Sequence, residues 1–264
     1  IQKYKTLENI YKLSKDKLME TSGISETIAN NMIDKKVRNN VDNALKYMKQ
    51  NNINVISVFD DDYPQMLKEI YAPPICLYIK GNLQLLKMQN ISLIGCRKCS
   101  QYGKKTAYYF SYNLSKAGFN IVSGLARGID SYSHIGCLAA KGKTIAVMGS
   151  GLDNIYPKEN EQLVNEIIKQ NGAIITQYPL GTKPEKNNFP ARNRIISGLS
   201  KAVLVIEARA KSGTLITVDF ALEQGKDVFA VPGNINSANS VGTNELIKQG
   251  AIPVCNYKDI LDNI

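Results

Sequence analysis

Six segments of this 264-residue chain carry the residue types that bind phosphate: GCRKCSQYG (95–103), SGLARGID (123–130), GSGLDNIYP (149–157), YPLGTKPEKNNFPARNR (178–194), EARAKSGT (207–214) and PGNINSANSVGTNE (232–245). Glycine lets backbone N–H groups approach an anion, and Ser and Thr add hydroxyl donors. A helix that follows such a loop adds the positive potential of its N-terminus. One loop of this kind means little, because glycine also closes strand-to-helix turns for steric reasons. Several at one edge of a sheet make an anion-binding surface. Arg97 and Lys211 fall at strand ends, where a guanidinium or ammonium group meets phosphate oxygens with little rearrangement. Phe189 offers a ring face for base stacking, worth roughly 1–3 kcal/mol per base and tolerant of any sequence. Each has a plainer reading: Phe189 as a core contact, Arg192 and Arg194 as structural partners of a carboxylate such as Glu207.

Reactive chemistry is hard to find among these residues. The chain has no GxxxxGK followed by Ser or Thr, and no GxGxxG follows the first strand of the repeating pattern, which disfavours an ATPase or an ordinary dehydrogenase. It has no GxSxG elbow, and its one histidine, His134, lies in the helical pattern IDSYSHIGCLAA, away from the loops. A solvated or packed surface role is expected for it. Cys96 and Cys99 form a single CRKC without two further ligands at suitable spacing, so no metal and no cofactor is expected.

The elements that must position the loops can be read from the apolar runs. ISLIG, NIVSG, TIAVMG, AIITQ, AVLVIEA, DVFAVPG and AIPVC read as short buried strands. The segments GKKTAYYFSYNLSKAG, GIDSYSHIGCLAAKG, PKENEQLVNEIIKQNG and GTLITVDFALEQGK are long enough for crossover helices. The fold class expected is α/β, an extended Rossmann-like, doubly wound and mostly parallel sheet over 51–264. Right-handed crossovers put the loops after the strand C-termini on one edge. NVISVF and ICLYIKG read as a lead-in strand pair. Residues 1–50 read as short amphipathic helices, LENIYKL, LMETSGISETIANNMID and VDNALKYMKQ. Gly23 sits between two helical patterns there, either in a helix-hairpin-helix or SAM-like unit or in a plain turn.

Composition agrees with a soluble binder of polyanions. The 33 Lys and Arg against 23 Asp and Glu leave a formal charge of +10, without a long basic run. The five cysteines are odd in number and accompany no signal peptide, and no apolar run is long enough to span a bilayer. Reduced thiols in the cytoplasm, away from membranes, are expected.

Four segments are specific enough to carry a family resemblance: SGLARGID, FPARNRIISGLS (189–200), AKSGTLITVDFALEQGK (210–226) and GTNELI (242–247). With YPQML and KGN ahead of them, they resemble the DprA (Smf) family from about residue 50 to 255, and the helical start resembles the SAM-like module of several members. The resemblance implies a protein without catalytic activity. Such a protein protects incoming single-stranded DNA during natural transformation, loads the RecA recombinase onto it, relieves inhibition by single-strand binding protein, and works as a homodimer. It implies DNA-binding residues at Gly95 and Arg97, at Ser123 and Gly124, at Lys186 and Phe189, at Arg192, Asn193 and Arg194, and at Lys211, Ser212, Gly213 and Thr214. One departure is Cys96, where members more typically carry Ser or Thr, so a good hydroxyl donor is lost beside Arg97. A second is the end near Ile264, without room for the winged-helix module of some relatives.

Two other readings compete. The KSGT loop resembles the PGGxGT loop of the phosphoribohydrolases, which implies a nucleotide-binding or nucleotide-processing protein. Those enzymes place Glu directly after the GT, whereas Leu215 and Ile216 follow Thr214 and the nearest later acid is Asp219. A pure interaction module is the third class, with GTLITVDFALEQG and DVFAVPG as its dimer face.

Overall fold

The computed structural model describes residues 7–264, which divide into two compact units, residues 7–52 and 53–264. The first unit is helical: α1 (Leu7–Tyr11), α2 (Lys15–Met19), α3 (Glu26–Ile33) and α4 (Lys35–Gln50). Its starts are set by polar side chains that accept from otherwise unpaired N–H groups: Ser14 from Lys17, Ser25 from Ile28, Asp34 from Lys36. Gly23, at φ +85°, makes the turn between α2 and α3, a conformation that a side chain would strain. Leu18, Ala29 and Met48 are buried.

The second unit contains β1 (Ile53–Ser57), α5 (Gln65–Lys68), β2 (Cys76–Gly81), β3 (Asn90–Gly95), α6 (Gln101–Lys116), β4 (Asn120–Ser123), α7 (Ile129–Ala139), β5 (Thr144–Val147), α8 (Glu161–Lys169), β6 (Ala173–Thr176), α9 (Asn188–Gly198), β7 (Ala202–Glu207), α10 (Gly213–Glu223), β8 (Asp227–Ala230), α11 (Val241–Lys248), β9 (Ile252–Pro253) and α12 (Lys258–Leu261). The strands form one sheet in the order β1-β2-β6-β5-β4-β3-β7-β8-β9. It is parallel from β6 to β9, and β1 and β2 extend it antiparallel beyond β6. The α/β doubly wound architecture expected from the apolar runs is what the chain adopts.

Side chains alternate across the sheet, so each face has its own core. Ile94, Val122, Ile145, Val147, Val203 and Val205 pack under α5, α9, α10 and α11. Leu93, Ile121, Leu204, Ile206 and Phe229 pack under α6, α7 and α12, and Ala146 and Ile174 under α8. The topology turns at β3. From β3 the chain winds through α6 to β4 and on to β6, then returns to β7 on the other side and leaves through α10 over the opposite face. The loops after β3 and β7 therefore diverge, and a crevice opens at their C-terminal ends.

Two readings of the sequence are corrected. The segment ending in ARNR, taken as a loop, becomes helical from Asn188 onward. Pro190 falls in the first turn of α9, where its missing N–H costs nothing, and Ile195, Ile196 and Leu199 supply the buried stripe. His134 is not at the surface: it is fully buried in α7 against the sheet. Thr144 Oγ1 donates to Ile121 O (2.7 Å), so His134 Nδ1–H donates to Thr144 (2.7 Å) and Nε2 is left without a partner.

Candidate nucleic-acid interface

A solvent-open cleft of about 670 Å³ lies at the switch point. The end of β3 supplies Gly95 to Lys98, α7 and the loop before it Ala126 and Asp130, the loop after β5 Tyr156, and the α9 region Lys186, Phe189, Arg192 and Asn193. The loop after β7 and the first turns of α10 supply Arg209, Ser212, Gly213, Thr214 and Thr217. Five cations line this wall and one carboxylate, Asp130. The cations are Arg97, Lys98, Lys186, Arg192 and Arg209, and among the described residues the four other than Arg192 make no ion pair.

Two glycines let the walls close up. Gly128, at φ +76°, starts α7, and a Cβ there would lie 2.3 Å from Cys96 O and 2.5 Å from Arg97 O. Ile129 N donates to Cys96 O (3.2 Å), so the Arg97 loop rests directly on the start of α7. A Cβ on Gly124 would meet Asp130 Oδ2 at 2.7 Å and Arg192 Nη2 at 2.8 Å.

The floor is a buried ionic group. Arg192 donates through Nη1 to Gly124 O (2.7 Å) and to Val147 O, which satisfies the carbonyls at two strand ends. Burial lowers its pKa to about 10, partly offset by Asp130, so it stays charged at neutral pH. Asp130 accepts from Ala126 N (3.3 Å). Its carboxyl lies above the usual range because burial outweighs the attraction of Arg192. Glu207 is occupied elsewhere, accepting from Ser100 N (2.9 Å), Ser100 Oγ and Asn239 Nδ2 (3.3 Å) at the N-terminus of α6. Glu207 is thus not the partner of Arg192 or Arg194.

The rim is aromatic and cationic. The Arg97 guanidinium carbon sits 5.3 Å from the Phe189 ring centroid, and Tyr156 lies on Phe189 at 5.6 Å and 46°. Phe189 is half-buried and Arg97 exposed, and all three side chains line the cleft. α10 opens without a side-chain cap, and its first-turn N–H groups border the cleft at Gly213 and Thr214. Ser212 Oγ is buried there without a partner.

Of the sequence candidates, Gly95, Arg97, Lys186, Phe189, Arg192, Asn193, Ser212, Gly213 and Thr214 line the cleft, and Gly124 lines a small recess next to it. Lys211 is exposed beside Ser212 and does not line it. Ser123 is fully buried, and its hydroxyl donates to Leu93 O (2.6 Å) rather than into the cleft. Arg194 points away, donating to Ala72 O (2.9 Å), Ala191 O and Gln177 Oε1 (2.6 Å). Two residues apart on a helix means about 200° apart around it, so α9 cannot turn Arg192 and Arg194 to one rim. Lys98, Asp130, Tyr156 and Arg209 were not singled out, although each stands in one of the six loop segments. Cys96 is buried, its N–H donating to Glu207 O (2.9 Å), and burial pushes its thiol pKa up. All five thiols are free, and among the described residues no cluster of potential metal ligands occurs. Asp219 is exposed on α10 and does not reach the cleft.

The DNA recombination-mediator protein A family model matches residues 54–264. The chain belongs to that family. Its relatives include DNA processing protein DprA of Streptococcus pneumoniae, 46% identical over 78% of this chain and 72% of that protein. Protein Smf of Escherichia coli is 41% identical over 86% of this chain, which spans 61% of that relative's length. The X-ray structure of the S. pneumoniae protein superposes with a TM-score of 0.83, covering 96% of this chain and 87% of that one at 39% identity. DNA processing protein A of Helicobacter pylori, solved in work on its single-stranded DNA binding mode, superposes at 0.72 with 31% identity over 80% of this chain and 94% of that one. Among the described residues no helix is long and apolar enough to cross a membrane.

Proposed function

We propose that this cleft binds single-stranded DNA without regard to sequence and that the protein acts as a recombination mediator. The observation that carries the reading is the Arg97–Phe189–Tyr156 cluster at the mouth of a cleft with five cations and one carboxylate. Cations hold phosphates and carry no base information, while a ring face accepts any base. In this reading Arg97 and Lys186 contact phosphate. Gly95, Gly124, Ser212, Gly213 and Thr214 offer backbone and hydroxyl donors, Asn193 adds an amide, and Lys211 adds charge from outside the wall, while Arg194 holds α9 to the Ala72 and Gln177 segments. Arg192 and Ser123 act by holding the strand ends. The family's description as a recombination mediator and the single-stranded DNA binding of the H. pylori relative support it.

Membership of the family extends the proposal: the protein protects incoming strands during natural transformation, loads RecA onto them, relieves inhibition by single-strand binding protein, and forms a homodimer through the α10 and β8 region, where Leu222 is 61% exposed. The test is fluorescence anisotropy with a labelled single strand, competed by duplex of equal length and by free nucleotides. Salt-sensitive preference for the single strand, with log affinity falling by about 0.7 per phosphate neutralised, is expected. Binding that free mononucleotides abolish and salt leaves unchanged overturns the reading and indicates a nucleotide pocket.

A further inference from the structure

Outside the cleft, α6 has an unusual outer face. Its sixteen residues, QYGKKTAYYFSYNLSK, include four tyrosines and three lysines and neither Asp nor Glu. Gly103, Ala107, Phe110, Ser111 and Leu114 form the buried stripe. Helical periodicity then turns Tyr102, Lys105, Tyr108, Tyr109, Tyr112 and Lys116 outward. Tyr102, Tyr108 and Tyr109 are 51%, 39% and 41% exposed. The Tyr108 and Tyr112 rings lie nearly parallel, 16° apart with centroids at 6.1 Å, and Lys116 Nζ sits 5.8 Å from the Tyr112 centroid. Among the described residues, no lysine of α6 pairs with a carboxylate.

This face begins beside the mouth of the cleft, on the side of the sheet opposite α9 and α10. α6 starts at Gln101, directly after the loop bearing Arg97 and Lys98, and Tyr102 Oη donates to Pro232 O (3.2 Å) in the loop after β8. From there the helix runs about 24 Å along the sheet, room for several further nucleotides. Exposed rings interleaved with unneutralised cations, and free of acids, match a sequence-tolerant stacking platform for a polyanion. A protein interface is a poorer fit, because interface cores take tyrosine but are depleted in lysine. We propose that a single strand leaving the cleft continues along α6, with bases against the tyrosine rings and phosphates against Lys105 and Lys116. This rests on the reading of the cleft as a single-strand site.

The experiment compares binding of oligonucleotides of about six and about twenty nucleotides, the shorter filling the cleft alone. Wild type is measured beside Tyr108→Ala/Tyr109→Ala, Lys105→Gln/Lys116→Gln and the cleft variant Arg97→Ala. The tyrosine variant is expected to lose about tenfold or more on the long oligonucleotide and nothing on the short one. The lysine variant, which alters only exposed side chains and so spares the fold, is expected to lower the salt slope on the long one by about 1.4, for two phosphates. Long-oligonucleotide affinity and salt slope unchanged in both α6 variants, while Arg97→Ala weakens both lengths, overturn this proposal and leave the cleft reading standing. Weakening confined to the α6 variants, with Arg97→Ala inert, overturns the cleft reading instead and supports α6 as a nucleic-acid surface. A change in oligomeric state by light scattering without a change in DNA binding makes the face a protein interface and overturns the proposal.

Discussion

Acidification should destabilise this protein through His134, and the size of the effect follows from its surroundings. The ring is fully buried, its Nδ1–H is spent on Thr144, and Nε2 faces no acceptor that would welcome a proton. Burial first, and the nearby Arg192 second, lower its pKa from 6.5 to about 3. The unfolded chain takes up a proton as the pH falls through 6.5, and the folded chain does not until about 3. The stability contribution is therefore complete above pH 6.5 and is lost progressively below it. At about 1.4 kcal/mol per pH unit, the loss reaches about 2 kcal/mol at pH 5. His134→Asn keeps an amide donor for Thr144 and cannot titrate in this range. Urea unfolding followed by circular dichroism at pH 7.5 and pH 5 isolates the effect, since all other groups are common to both proteins. Wild type should lose about 2 kcal/mol more than the variant over that interval. Equal losses would refute the argument, because the folded state would then hold a proton on His134 as readily as the unfolded chain.

Three further outcomes are expected. Arg97→Ala and Lys186→Ala should each weaken single-strand binding equally for oligonucleotides of unrelated sequence and lower the salt slope by about 0.7, whereas Phe189→Ala should cost roughly 1–3 kcal/mol with the slope unchanged; anisotropy across a salt series separates them. Arg192→Ala leaves Gly124 O and Val147 O unsatisfied and Asp130 without its buried counter-charge, so a stability loss of about 3–5 kcal/mol in urea unfolding is expected, and a variant as stable as wild type contradicts the structural role. Gly128→Ala forces a Cβ into Cys96 O and Arg97 O at a positive φ. It should lower stability by about 1–3 kcal/mol and weaken DNA binding by displacing the Arg97 loop, whereas an unchanged melting profile would mean that the loop yields without cost.

Local pattern determined much of this protein. Short apolar runs separated by glycine-rich loops specify buried parallel strands with crossover helices, because a strand covered on both faces needs no polar alternation and a parallel return needs a helix's length. Arg97 was legible from its place at a strand end and Phe189 from its ring in a basic, glycine-containing segment, whereas Lys186 and Ser212 to Thr214 came from the family resemblance, and all of them line the cleft. What lay beyond local pattern depended on non-local partners. The antiparallel attachment of β2 to β6 joins residues nearly a hundred positions apart. Arg192 turned inward because two strand-end carbonyls needed a donor, and α9 then carried Arg194 to the opposite side. Ser123 and His134 are polar residues that became core, the Ser123 hydroxyl bonding Leu93 O and His134 Nδ1 bonding Thr144 Oγ1 while Nε2 stays unpartnered. A sequence records which groups can bond; which group comes within 3 Å of which is decided only when the sheet closes over them.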